Sequence, residues 1–374
     1  MKIAILGIRG IPANYGGFET FVDELSTRLA ARGHDVTVYC RTESIHWEKP
    51  TYKGVKLVKL PTLKHKYFDT IAHTFLATLH VIFTGAQVIY YCNSINSIFA
   101  LLPRILGRKT VINVDGLEWK RAKWNRAGKL AYQVSEWIAT FAAHEIISDS
   151  RRIRFYYKKK FNRDTQFIGY GADIAETLDG EEVLAKHGLQ KRNYFLTLTR
   201  LEPENNVHVM IEAYEQVKTD MPLVIIGDAP YAKPYIRNLR STPDPRVKFL
   251  GGIYELKEKQ ALQSNAYLYL HGNEVGGTNP SLLEAMATGN CVIANGVRFN
   301  REVLGDAGLW YKPRNVRDLK QKMEGLLENP KKAREYGNLA VEHIRKYYNW
   351  EDVVDQYERF FNVLTGREIP LPLP

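Results

Sequence analysis

A short apolar run, a glycine-rich loop and a helix-period stretch follow one another twice in this chain, at residue 2 and again near residue 194. That recurrence constrains the fold more than any other feature. In the first copy Ile3, Ala4, Ile5 and Leu6 lead into a loop holding Gly7, Gly10, Gly16 and Gly17. Phe18, Phe21, Val22, Leu25 and Leu29 then recur at three- and four-residue spacing, the period of an amphipathic helix. Gly33 stops that helix, and residues 36–39 read as the next strand. Strand, helix and strand in this order imply a crossover connection and a parallel sheet. Val55–Leu60, Val88–Cys92, Lys109–Val114 and Glu145–Ser148 supply further strands. The second copy starts with a strand at 194–198 and passes Arg200 and Asn206 into a helix predicted at 207–217. More strands are predicted at Leu223–Ile226, 247–250, 266–270, 291–294 and Leu309–Tyr311.

A length of 374 residues suits about two domains rather than one core. The predicted fold is therefore α/β, with two Rossmann-like, doubly wound domains at 1–175 and 176–345, joined in the polar stretch 171–193. Ligands of such sheets sit at the carboxyl ends of the strands, so a central cleft faced by both sheets is the expected site.

The charge is lopsided. The chain carries a net +11, and residues 1–175 hold 26 Lys and Arg against 14 Asp and Glu, whereas the remainder holds 26 against 27. Such an excess points to an anionic partner on that side, or else to a generally basic solvated surface. No nucleic-acid module is recognisable, which disfavours nucleic acid as that partner. The cations gather around aromatic residues. Lys64 and Lys66 flank His65 ahead of Tyr67 and Phe68; Lys120, Arg121 and Lys123 lie between Trp119 and Trp124; Arg151, Arg152, Arg154 and Lys158 to Lys160 surround Phe155, Tyr156 and Tyr157. Such mixtures favour membrane interfaces, so this half is expected to dock on an anionic membrane, peripherally and reversibly in salt. The apolar stretch at 71–92 is broken by His73, His80, Gly85 and Gln87 and makes a poor membrane span. Cys40, Cys92 and Cys291 are odd in number and far apart, which disfavours a disulfide framework or a zinc site and fits a reducing cytoplasm. The opening apolar run is too short for a signal peptide and reads as a first buried strand.

Three constellations carry chemistry. The loop from Gly7 to Gly17 brings backbone amides and a helix start together without the dinucleotide fingerprint or a P-loop, so it reads either as an oxyanion-approaching loop or as a tight turn. In the second, a strand ending near His271 is followed by Gly276, Gly277, Thr278 and Asn279, and then by a helix starting near Pro280. That helix N-terminus is a diphosphate seat, and Glu284, one turn further in, suits ribose hydroxyls better than phosphate; the alternative is an acid placed for the helix dipole. The third is Arg200 at the end of the strand at 194–198, a guanidinium suited to phosphate oxygens.

Together with these, Gly-Gly-Phe-Glu-Thr at 16–20, Arg-Gly-His-Asp-Val at 32–36, Arg200-Leu201 and Gly227-Asp228 resemble the family-4 glycosyltransferases. So do Leu-Glu-Ala-Met-Ala-Thr-Gly at 283–289 and Glu-Val-Leu-Gly-Asp-Ala-Gly at 302–308. The resemblance spans nearly the whole chain and implies the GT-B fold, with residues 346–374, including Trp350, Glu351 and Tyr357, forming a terminal helix that crosses back to the first domain. The chain departs from the family at three places. Gly276 replaces the first of two glutamates eight apart, Asn205 replaces a lysine that pairs with Arg200, and Asp115 stands where a histidine is usual. These changes resemble a subgroup with bacterial rhamnosyltransferases of surface-polysaccharide assembly, which share Gly-Gly-Thr-Asn-Pro at 276–280 and Asp-Gly-Leu-Glu-Trp-Lys-Arg at 115–121.

The resemblance implies retaining transfer of a hexose, rhamnose above others, from a dTDP- or UDP-sugar to a glycan or polyprenyl-linked acceptor at the inner face of the plasma membrane. Asp115 and Arg200 are the expected catalytic residues. Gly16, Gly17, Arg200, Asn205, Gly277, Thr278, Asn279 and Glu284 are expected to bind the donor. Tyr15, Glu118, Trp119, Lys120 and Arg121 fall on the acceptor or membrane side. No Asp-x-Asp motif occurs, so no metal and no further cofactor are expected. A sugar-nucleotide epimerase on the same two-domain plan is the alternative enzyme; a basic nucleic-acid-binding protein is the non-enzymatic one.

Overall fold

In a computed structural model the chain divides into two compact units, one of residues 1–170 and 350–374 and one of residues 171–349. The structure describes residues 1–13, 16–63, 65, 68–114, 116–174, 180–229, 232–253 and 255–368. In the first unit the order is β1 (Lys2–Leu6), α1 (Gly17–Ala31), β2 (Asp35–Arg41), β3 (Thr51–Tyr52), β4 (Val55–Leu60), α2 (Asp69–Val81) and β5 (Val88–Cys92). It continues with α3 (Leu101–Ile105), β6 (Lys109–Val114), α4 (Arg126–Ala142), β7 (Glu145–Ser148), α5 (Arg151–Phe161) and β8 (Gln166–Phe167). The sheet runs β3-β4-β2-β1-β5-β6-β7-β8, and every pairing is parallel except β3 with β4.

The second unit holds α6 (Glu181–Lys186), β9 (Phe195–Leu198), α7 (Val207–Tyr214), β10 (Leu223–Ile226), α8 (Lys233–Arg240), β11 (Val247–Gly251) and α9 (Leu256–Ser264). After them come β12 (Leu268–His271), α10 (Pro280–Ala287), β13 (Cys291–Asn295), α11 (Arg298–Leu304), β14 (Leu309–Tyr311), α12 (Val316–Glu328) and α13 (Pro330–Tyr347). Its sheet is parallel throughout, in the order β11-β10-β9-β12-β13-β14. These are two Rossmann-like α/β folds of the GT-B type. The last helix, α14 (Trp350–Leu364), belongs to the first unit.

The local reasons are visible in burial. A parallel strand covered on both faces must be apolar along its length, and all five residues of β5 are buried. Helix α1 buries Phe21, Val22, Leu25 and Leu29, the stripe expected from its spacing. Helix α14 is held to the same unit by the Arg32 guanidinium, which reaches Glu351 at 2.7 Å and Glu358 at 3.0 Å, and by Tyr357, whose hydroxyl lies 3.1 Å from that of buried Tyr90. The helix predicted at 207–217 ends at Tyr214. Gln216 and Val217 close it with i to i+3 bonds onto Ala213 and Tyr214, which tighten a last turn out of α geometry. The strand predicted at 266–270 starts two residues later and ends one later, at β12.

Candidate functional site

In the second sheet the chain leaves β9 toward β10 on one side and returns to β12 on the other side of β9. The loops after β9 and β12 therefore depart in opposite directions from neighbouring strands. A crevice at the carboxyl ends is the expected ligand position at such a switch point. These are the loops that hold Arg200 and the Gly276–Asn279 run.

Backbone contact locks the two loops together. Glu274 N–H donates to the Glu204 carbonyl at 2.9 Å, and a Cβ on Gly272 would lie 2.2 Å from the Asn205 carbonyl oxygen, so only glycine permits this approach. Asn206 adopts φ +54°, a left-handed conformation that asparagine tolerates, and its amide donates to the Gly272 carbonyl at 2.9 Å. Asn205 is buried and donates Nδ2 to the Arg200 carbonyl at 2.7 Å. Its role in the fold is thus to fix the backbone of Arg200. The Arg200 side chain is half-buried, with Nη2 3.8 Å from a Glu202 oxygen.

The second loop is also preorganised. Asn273 Nδ2 donates to Asn279 Oδ1 at 3.0 Å, the Thr199 hydroxyl donates to Asn273 Oδ1 at 3.2 Å, and Asn300 holds the Asn273 carbonyl at 2.9 Å. Asn279 is the N-cap of α10, but its side chain is turned to Asn273 and does not cap the helix. With Pro280 contributing no N–H, this helix start offers its positive end to a ligand. Gly277 and Thr278 are buried beside it. Among the described residues, Asn205 Oδ1 and Asn279 Nδ2 are buried without a protein partner.

Glu284, one turn into α10, is engaged by Lys259 of α9, whose Nζ lies 3.1 and 3.0 Å from its two oxygens. The carboxylate is therefore not an isolated charge beside the α10 N-terminus. Lys259 was not singled out in the sequence: it lies 25 positions before Glu284, on another helix and in no local motif. One strand over, at the end of β10, Asp228, Lys233, Arg237 and Arg240 line a shallow hollow of about 620 Å³. His271, which ends β12, is fully enclosed, and burial pushes its pKa down to about 3, so it is neutral.

In the first unit the glycine loop is turned inward on its own helix. Glu19 accepts from the Arg9 amide at 3.1 Å, and Asp23 accepts from the Ala13 amide at 2.8 Å. Burial raises the Asp23 carboxyl above its usual range despite that bond. Gly16, at φ +101°, caps α1 next to Gly17, and a Cβ there would meet the Glu19 carboxylate at 2.4 Å. Two amides of this loop are thus committed to carboxylates of α1, so these two are not presented to an oxyanion. Asp115 and Tyr15 lie outside the described residues. Glu118 is the centre of an ion cluster: it pairs with Arg121 and lies 3.6 Å from Lys123 and 3.4 Å from Trp124 Nε1. Arg121, expected among the surface cations, is buried in that pair. Lys120 is exposed, 5.5 Å above the half-buried Trp119 ring.

Arg200, Asn205, Gly277, Thr278, Asn279 and Glu284 are accordingly brought to one edge of the second sheet. Gly16, Gly17, Glu118, Trp119, Lys120 and Arg121 belong to the first unit.

The chain is similar to known proteins in sequence and in fold. Residues 179–343 match the family of glycosyl transferases group 1, and residues 1–173 match a domain of unknown function, DUF1972. An uncharacterised glycosyltransferase of Methanocaldococcus jannaschii is 21% identical over 380 residues, covering 94% of this chain and 96% of that protein. Sucrose-phosphate synthase from Thermosynechococcus elongatus superposes with a TM-score of 0.83 at 18% identity, covering 98% of this chain and 99% of that one. Anabaena HepE in complex with UDP-glucose gives 0.75 at 16% identity, covering 97% and 100%.

Proposed function

We propose that this glycosyltransferase, which draws on a nucleotide-sugar donor, transfers a hexose with retention at C1 from a dTDP- or UDP-sugar to a glycan or polyprenyl-linked acceptor in surface-polysaccharide assembly. Rhamnose is the preferred sugar, on the strength of the runs at 276–280 and 115–121. The observation that carries the reading is the preorganised switch-point edge of the second unit, where the α10 N-terminus, Arg200 and the Glu284–Lys259 pair share one rim. A nucleoside diphosphate matches that set. Arg200 and the first turn of α10 take the diphosphate charge that grows as the C1–O bond breaks. Glu284 accepts from ribose hydroxyls. The acceptor hydroxyl passes its proton to the leaving diphosphate oxygen on the same face of the sugar, so no enzymic nucleophile is needed. The UDP-glucose bound by Anabaena HepE supports a uridine or thymidine diphosphate.

The family resemblance assigns Asp115 to catalysis beside Arg200, Gly16 and Gly17 to the donor, and Tyr15, Glu118, Trp119, Lys120 and Arg121 to the acceptor side. The basic first half supports work at the cytoplasmic face of the plasma membrane, with peripheral attachment. Among the described residues no helix is long and apolar enough to cross a membrane. A thermal-shift screen against UDP-, dTDP-, GDP- and ADP-sugars tests the donor reading. A bound donor at 100 times its Kd raises stability by about 2.7 kcal/mol. No shift with either the UDP or the dTDP series would remove it.

A further inference from the structure

Helix α4 carries its apolar side chains on the outside. Leu130, Val134, Trp137 and Phe141 recur at 4-3-4 spacing, one stripe of the helix, and all four are exposed, Leu130 by 61% and Trp137 by 57%. The inward side carries Tyr132, Glu136, Ala139 and Ala142. A helix of a globular protein normally does the reverse. The orientation is anchored from within: Glu136, only 2% exposed, accepts from the Tyr156 hydroxyl at 2.7 Å, with Lys160 Nζ at 3.5 Å.

The neighbouring elements continue this surface. Both α4 and α2 pack on the turn at Ser94–Ala100, Arg104 of α3 donates to the Phe141 carbonyl at 2.7 Å, and the Phe75 and Phe99 rings lie 6.2 Å apart. Phe75 and Leu79 of α2, Phe83 just beyond it, and Ile98 and Ile105 are likewise exposed. Isolated apolar residues on a surface are ordinary, but a contiguous set on three adjoining elements marks an interaction site.

Charge identifies the occupant. Residues 70–114 and 122–142 contain Arg104, Arg108, Lys109, Lys123, Arg126 and Lys129, and Glu136 is their one acid. Lys120 is exposed beside them, whereas Arg121 is buried in its pair with Glu118, which also lies 3.6 Å from Lys123. Glu136 is turned inward, so an apolar surface is accompanied by cations without a competing carboxylate of these segments. A second copy of the chain would bring cations against cations across a two-fold contact. An anionic leaflet satisfies both parts at once, taking aromatic and aliphatic side chains at the headgroup–acyl boundary and cations at the phosphates.

We propose that the outward stripe of α4, with the adjoining side chains of α2 and α3, inserts into the headgroup–acyl boundary of an anionic bilayer. This deepens the reading of a membrane-linked acceptor and rests on it. It also changes the expected salt response: buried apolar contacts are not screened, so attachment formed at low salt persists when ionic strength rises.

The test uses the full chain and vesicles of phosphatidylglycerol and phosphatidylcholine, some with brominated acyl chains that quench tryptophan on contact. The expected result is quenching of wild-type emission, retained at about 1 M NaCl, where the Debye length is about 3 Å. Trp137→Phe should lose most of that quenching and still bind. A variant with Leu130→Gln, Val134→Gln and Phe141→Gln should partition about tenfold more weakly and become salt-labile. Its melting midpoint and UDP affinity should match the wild type, because all three side chains are exposed. If that variant is misfolded, the Trp137→Phe comparison decides alone. Unquenched wild type, complete release by salt, or a lipid-free dimer broken by the same substitutions would overturn the proposal. Transfer to a detergent-solubilised acceptor separates the two readings: its absence counts against the transferase assignment, and its persistence beside failed insertion counts only against the docking face.

Discussion

Lys259 Nζ is held between the two carboxylate oxygens of Glu284 at 3.1 and 3.0 Å, which ties α9 to the first turns of α10. The pair compensates the charge of a carboxylate that lies close to the proposed phosphate seat. Ribose contacts exist in the ground state and in the transition state alike. Glu284→Gln should therefore raise the donor KM more than it lowers kcat, and Lys259→Met should do the same to a smaller degree. Steady-state kinetics at varied donor concentration checks both; a collapse of kcat at saturating donor would give Glu284 a chemical role.

Arg200→Ala removes the cation whose backbone Asn205 fixes. It should cost about 2–4 kcal/mol of transition-state stabilisation while circular dichroism and the melting midpoint stay near wild type. The check is kcat/KM with the purified variant, and a value close to wild type would take Arg200 out of the mechanism.

Asn205 acts through its amide nitrogen, which donates to the Arg200 carbonyl. Asn205→Ala should destabilise the chain by about 0.5–1.5 kcal/mol in urea unfolding, since it removes a part-buried hydrogen bond and leaves the Arg200 carbonyl with the Glu202 amide as its donor. Asn205→Asp should be at least as harmful, because a carboxylate cannot donate. A neutral effect of both would show that the loop does not depend on this bond.

His271 has a folded pKa near 3 because it is buried. Its unfolded value is about 6.5, so the unfolded chain takes up the proton first as pH falls. The contribution is complete above pH 6.5 and declines by about 1.4 kcal/mol per pH unit down toward the folded value. Urea midpoints measured across this range should fall less steeply for His271→Gln than for wild type. Parallel curves would place the low-pH loss elsewhere.

Much of this was legible in the sequence because parallel strands covered on both faces are continuous apolar runs, as at Val88–Cys92 and Leu223–Ile226. The run Gly276 to Asn279 was legible as a glycine turn leading into a helix start, because that demand is local; the close approach of Gly272 to the Asn205 carbonyl was not, because it joins two loops distant in sequence. Two further features were hidden. The 4-3-4 stripe of α4 shows that the helix has a face but not which way it points; only the burial of Glu136 and its bond to Tyr156 decides that. The Lys259–Glu284 pair depends on how α9 and α10 pack, and no sequence period encodes it. In sequence the first glycine loop reads either as an oxyanion-approaching loop or as a tight turn; the bonds from the Arg9 and Ala13 amides to Glu19 and Asp23, each ten residues on, depend on how α1 packs back on it.

The most direct measurement is calorimetric titration of UDP into the full-length protein and its variants. The account predicts binding by the wild type, about tenfold or more weaker binding by both Arg200→Ala and Glu284→Gln, and wild-type affinity in Trp137→Phe. Equal affinity in all four proteins would contradict a nucleoside diphosphate seat at the β9–β12 switch point.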